Sequence, residues 1–168
     1  MAMTLTRLIL VVALALASIA HSWAGTYFVS NTLGSNTNDG LSDTTAWETL
    51  QFSVNKIGAG DTLLILAGTY FEKISIDTFG TMSNPMVIRN RPGDEVVLDG
   101  TGLATVPEAM ISVFDQSYIV IQGLIIRNNR HQDAQGILVE GNCQGIHLLG
   151  NEIHDIGFSS DSSADPTP

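Results

Sequence analysis

The chain has 168 residues, with 7 Lys and Arg against 17 Asp and Glu and a formal net charge of −10. That length suits one domain, and so acidic a chain repels nucleic-acid phosphates and anionic membrane surfaces, which argues against both as partners. A hydrophobic fraction of 44% argues against a disordered tail, and an aromatic content of 7% disfavours a module built on a large aromatic cluster.

The first segment reads as an address rather than as fold. Arg7 precedes an unbroken apolar run over residues 8–17, and Ser22-Trp23-Ala24 offers a small-x-small cleavage site before Gly25. A positive start, a short apolar stretch and this end make residues 1–24 a secretory signal peptide. The product is then exported, extracellular or periplasmic. The run is short for a membrane span, which needs about 20 apolar residues. No second long run follows, so no span is expected after signal removal. Cys143 is the single thiol, so the fold is stabilised without an intrachain disulfide. That thiol is either buried and inert or open to intermolecular pairing.

Residues 26–30 are β-branched and aromatic and predict a short strand. Residues 31–43 are rich in Asn, Ser, Gly and Asp, with Asp39-Gly40 as a turn. Thr45 and Glu48 stand at capping-box spacing. Trp47, Leu50, Val54 and Ile57 follow at helical spacing and Gly58 closes the pattern, which predicts an amphipathic helix over 46–57.

Beyond Gly58 a pattern recurs: apolar-x-apolar-x-Gly with another apolar residue three after the Gly. It runs Leu64, Leu66, Gly68, Phe71; then Val96, Leu98, Gly100, Leu103; then Ile119, Ile121, Gly123, Ile126; then Ile146, Leu148, Gly150, Ile153. Alternating pairs lie between the copies at Met86 and Ile88, Ile111 and Val113, and Ile137 and Val139. Each pair puts two side chains on one face of a strand. Such units cannot bury an inner face alone and must stack. The reading is an all-β parallel β-helix of about four coils, in which Leu148 points inward. A β-sandwich also alternates, but does not require a glycine in fixed register with its apolar flanks. The helix before the first coil stands where a solenoid needs an end cap. The chain thus divides into a signal peptide (1–24), an N-terminal strand, loop and capping helix (25–58), coils (59–157), and a polar stretch (158–168). That last stretch is either a tail or the point at which a longer protein is cut.

Candidate site residues gather late. Arg127, Arg130 and His131 form one local basic group in a loop between strands. His154 falls one repeat after Arg127, and Asp155 one repeat after Asn128, so the pairs are expected to stack on one outer face. With Glu152 and Asp133 this face offers contacts to an acidic sugar or a metal; the plainer alternative is a solvated outer face. Of the lysines, Lys56 sits on the helix and Lys73 in the first coil, with none later. Asp61 and Asp99 flank turns and should bond their own backbone. Asn142 and Asn151 suit side-chain amide ladders. Asp161 and Asp165 match neither common Ca²⁺ loop spacing.

Tyr27-Phe28-Val29-Ser30, Asn38-Asp39-Gly40, Trp47-Glu48-Thr49-Leu50-Gln51, Gly60-Asp61-Thr62-Leu63 and Gly68-Thr69-Tyr70 carry a family likeness, continued by Pro85-Met86-Val87-Ile88-Arg89 and Val96-Val97-Leu98-Asp99-Gly100. These segments resemble the opening of secreted right-handed parallel β-helix proteins of the pectate-lyase-like superfamily, especially its pectate lyase L and chondroitinase-B-like branches. The resemblance implies an acidic polysaccharide substrate and Ca²⁺-assisted β-elimination with a Lys or Arg base. In such proteins that constellation sits on later coils, so no catalytic residue is carried over to this chain. The expectation is the N-terminal portion of an exported lyase-like protein, or alternatively a non-catalytic exported glycan-binding or structural module.

Overall fold

The computed structural model describes residues 24–157. The signal-peptide reading, apart from Ala24, and the polar stretch 158–168 with Asp161 and Asp165 lie outside the described residues. The strands are β1 (Thr26–Val29), β2 (Thr62–Ile65), β3 (Gly68–Tyr70), β4 (Ile74–Ile76), β5 (Met86–Asn90), β6 (Val96–Asp99), β7 (Ala109–Phe114), β8 (Ile119–Gln122), β9 (Ile125–Arg127), β10 (Gln135–Glu140), β11 (His147–Leu149) and β12 (Glu152–His154). They form three sheets, ordered β1-β2-β5-β8-β11, β10-β7-β4 and β12-β9-β6-β3, and the strand pairings are parallel. β1 pairs directly with β2, and from β2 onward sequence neighbours lie in different sheets and pair with strands from the next layer. This is an all-β architecture consistent with a parallel β solenoid, not closed as a barrel.

Stacking produces apolar ladders. Leu63, Ile88, Ile121 and Leu148 align in the first sheet, and Tyr70, Leu98, Ile126 and Ile153 in another. Ile74, Ile111 and Ile137 align in the third. Interior rungs are fully buried. On the last layer Leu148 is 46% exposed, Ile153 45% and Val139 39%. Leu148 therefore keeps its predicted register on Ile121 but is not buried, because no further layer covers it among the described residues.

The repeat is real in two of its four copies. Ile119 to Ile126 stacks under Ile146 to Ile153 residue for residue, in steps of 27. The copy at Val96 lies in a different sheet and stacks on β3, while the alternating pair Met86 and Ile88 takes the expected place. The copy at Leu64 is one residue out: Leu63 and Ile65 face inward, and Leu64 pairs with Arg89. A shift of one residue exchanges the two faces of a strand.

The predicted helix 46–57 is shorter, α1 (Leu50–Val54). Trp47 is drawn away from it. It forms a parallel bridge with Val29, stacks its ring on Tyr27 at 5.1 Å, and donates its indole N–H to the Asn38 carbonyl. Thr45 and Glu48 make no capping box. Ser42 caps a short 3-10 turn over Asp43–Thr45. The α1 amides of Leu50 and Gln51 bond instead to the Glu72 carboxylate at 3.1 and 3.2 Å. Gly58 does not take the left-handed cap conformation; its N–H bonds to Asp61, which also accepts from Gly25 N.

Helix α1 packs on β4, the edge strand of its sheet. The Gln51 side chain both donates to the Ser75 carbonyl (3.0 Å) and accepts from Ser75 N–H (2.8 Å). One amide thereby completes the hydrogen bonding of an otherwise open edge.

Candidate functional site

The late basic group lies where β9 and β12 turn outward. Arg127 and His154 are register partners, as expected, and the next residues, Asn128 and Asp155, both adopt left-handed φ values of 58° and 55°. The left-handed residue swings the chain out of the sheet in each layer, so the side chains that follow share one outer face.

Three of the four predicted site cations hold internal carboxylates. Arg127 Nε donates to Asp99 Oδ2 at 2.9 Å, joined by Asn128 Nδ2 at 3.0 Å. Thr101 N–H donates to the other oxygen at 2.9 Å. Asp99 thus does bond its own turn, and anchors the next layer as well. Burial pushes its pKa up, but these hydrogen bonds outweigh burial and bring it down to about 2. Arg130 Nη2 lies 2.5 Å from Asp155 Oδ1, and His154 Nδ1 lies 2.8 Å from Asp155 Oδ2. The His154 hydrogen bond and the nearby Arg130 charge hold the Asp155 carboxyl below its ordinary range, against a smaller opposing effect of desolvation. Glu152 Oε1 stands 3.9 Å from His154 Nε2. Asp133 makes no hydrogen bond or ion pair with these residues.

His131 has different company. Its Nε2 lies 3.4 Å from Lys73 Nζ and 3.1 Å from Asn129 Oδ1. Lys73 follows β3, 58 residues earlier in the chain. No spacing signal links the two; layer stacking brings them together.

A cleft of about 340 Å³ opens beside them, lined by Thr101, Thr105, Asn128, Asn129, Arg130 and His131, with the backbone of Gly100 and Gly102. Gly100 is required there, since a Cβ at that position would meet Asn129 Cα at 2.8 Å. A second cleft of about 250 Å³ lies across Leu103, lined by Phe71, Glu72, Lys73, Ala104, Val106 and Pro107, with the Glu72 carboxylate engaged by the Leu50 and Gln51 amides. The first offers hydroxyls, amides and cations, and the second an apolar wall. Asn151 forms no amide ladder: one repeat after Leu124, its side chain accepts from Leu124 N–H and donates to the Ile121 carbonyl, tying the layers through backbone groups. Cys143 is half-buried, its Sγ 3.2 Å from the Glu140 carbonyl. No helix among the described residues is long and apolar enough to cross a membrane.

The chain is similar to YwoF of Bacillus subtilis (strain 168), described as an uncharacterized protein, with 30% identity over 144 residues covering 82% of this chain and 31% of that one. The chain therefore spans about a third of the length of the curated relative it matches. Among solved structures it is similar to lacto-N-biosidase from Eubacterium ramulus, with TM-score 0.62 and 19% identity over 79% of this chain and 27% of that one. It is likewise similar to a rhamnogalacturonan lyase, with TM-score 0.61 and 17% identity over 80% of this chain and 38% of that one. At these identities the likeness is one of fold. No family model matches the chain.

Proposed function

We propose that the chain is the N-terminal portion of an exported right-handed parallel β-helix protein, about four coils of it, that acts on a polysaccharide bearing acidic sugars. The observation that carries this reading is the polar cleft at Thr101, Thr105, Asn128 and Asn129, bordered by Arg130 and His131 in a chain of net charge −10. Hydroxyls and amides suit a sugar's hydroxyl groups. Arg127 and Arg130 are already paired with Asp99 and Asp155, so contact with an acidic sugar falls to His131 and the neighbouring Lys73. The solved structures it resembles in fold include two enzymes whose names denote glycan cleavage, which supports a carbohydrate role.

The Ca²⁺ implied by the family resemblance does not fit the described residues. Asp99 is committed to Thr101, Arg127 and Asn128, and Asp155 to Arg130 and His154. No three His, Cys, Asp or Glu side chains among the described residues could hold a metal ion together. In this reading, cleavage belongs to coils that stack beyond β10, β11 and β12, and these coils contribute binding. A non-catalytic exported glycan-binding module is the second reading. It is favoured by the pairing of Arg127, Arg130 and His154 with carboxylates, which commits them within the chain rather than to moving a ligand's protons.

The test is retention of the whole chain on immobilised polygalacturonate, chondroitin sulfate and neutral galactan. Retention on the acidic glycans alone is expected. Equal retention on all three, or on none, sinks the reading. Export is checked separately: the secreted protein should begin at Gly25, and a product still carrying Met1 would overturn it.

A further inference from the structure

Half-buried Arg89 donates to the Asn90 carbonyl, but half-buried Arg91, Arg127 and His154 and exposed Arg130 each pair with a carboxylate. Lys73 and His131 do not: among the described residues neither has a carboxylate at ion-pairing distance, although Asp and Glu outnumber Lys and Arg 17 to 7. They face each other instead, 3.4 Å apart.

Their hydrogen bonds leave the pair incomplete. Lys73 Nζ donates to the Pro107 carbonyl. His131 Nδ1 lies 2.7 Å from the Gln132 carbonyl, which can only accept, so Nδ1 carries a hydrogen. Asn129 Nδ2 donates to the carbonyls of Glu108 and Gln135, which turns Asn129 Oδ1 toward His131 Nε2. Nε2 therefore meets a donor and an acceptor at once, and either of its protonation states satisfies only one of them. An oxyanion lying against Nζ and Nε2 resolves the conflict. Nε2 then carries a hydrogen for Asn129 and the anion, and Lys73 donates to the anion. Burial also lowers the Lys73 pKa, and the Glu108 charge only partly offsets it, so the ammonium gains from a counter-ion.

The two clefts meet at this pair. Leu103 lines both, His131 the polar one and Lys73 the apolar one. Phe71 and Val106 are exposed beside Lys73, a surface suited to the C–H face of a sugar ring. We propose that Lys73 and His131 form a subsite for the carboxylate of a uronic-acid unit, whose ring lies on the apolar cleft and whose hydroxyls face the polar one. The subsite rests on the acidic-glycan reading above and adds to it the residues that recognise acidity.

Isothermal titration of the whole chain with a galacturonate oligosaccharide, a galactose oligosaccharide of equal length and a sulfated galactose oligosaccharide tests this. Lys73→Met and His131→Gln are each expected to weaken galacturonate binding by about tenfold or more. Their thermal midpoints should match wild type, and Lys73→Arg, which keeps the charge, should retain binding. Wild-type affinity in Lys73→Met overturns the subsite alone. Preference for the sulfated over the galacturonate ligand overturns its carboxylate assignment. A wild-type chain that binds no acidic ligand overturns the glycan reading, and the subsite with it.

Discussion

Asp99→Asn offers a quantitative test of how one layer is tied to the next. Asp99 is 4% exposed and accepts from Thr101 N–H, Arg127 Nε and Asn128 Nδ2. The amide variant keeps the shape but replaces one oxygen by an NH₂ group. In one orientation that group meets Arg127 and Asn128, both donors; in the other it meets the Thr101 N–H. A donor faces a donor either way. The carboxyl titrates near 2 in the folded protein against an ordinary 3.8. At about 1.4 kcal/mol per pKa unit, its ionised form contributes about 2 kcal/mol, which agrees with the roughly 1.5–3 kcal/mol of a hydrogen bond to a charged group. Because the folded pKa is depressed, this contribution is fully present above the ordinary value of 3.8 and disappears as pH falls through about 2. Urea unfolding followed by circular dichroism measures it at pH 7 and at steps down to pH 2. Asn at this position should cost about 2 kcal/mol at neutral pH, with the gap closing in acid. A loss under about 0.5 kcal/mol at pH 7, the scale of an ordinary surface change, would refute the assignment. So would a gap that stays constant to pH 2.

Two further stability changes follow from the layers. Leu148→Asp should cost no more than about 1 kcal/mol, because its side chain is exposed on the last layer, whereas Ile121→Asp one layer inward should cost several kcal/mol for a buried unpaired carboxylate. Thermal melts of the two variants compare them directly, and equal losses would contradict the ladder. Gln51→Ala leaves the Ser75 N–H and C=O at the β4 edge without partners and should cost about 1–3 kcal/mol. Hydrogen exchange at Ser75 should rise with it, and unchanged exchange would show that the edge is closed by something else.

Much of the strand content is legible from alternation. The pairs at Met86 and Ile88, Ile111 and Val113, Ile119 and Ile121 are strands with both side chains buried, because a two-residue period needs only local backbone geometry. The stacking of Arg127 on His154 is legible too, since no insertion interrupts the 27-residue step between those layers. The placement of Val96 is not. Its local pattern equals that of Ile119, but the loop lengths on either side put it in another sheet, over Gly68. The helix boundary also escaped the sequence. Helical spacing at Trp47 competes with a strand bridge to Val29 and a ring stacked on Tyr27, and those partners are invisible to a local window.

The site divides along the same line. By itself the sequence determined that Arg127 and His154 stack, because they stand one uninterrupted 27-residue repeat apart. Only the tertiary structure decided that Arg127, Arg130 and His154 are neutralised by Asp99 and Asp155, and that Lys73 meets His131 from 58 residues away. The physical reason is that alternation and turn residues specify a strand's own faces. Which side chains then meet across layers depends on the number of residues each loop inserts between them.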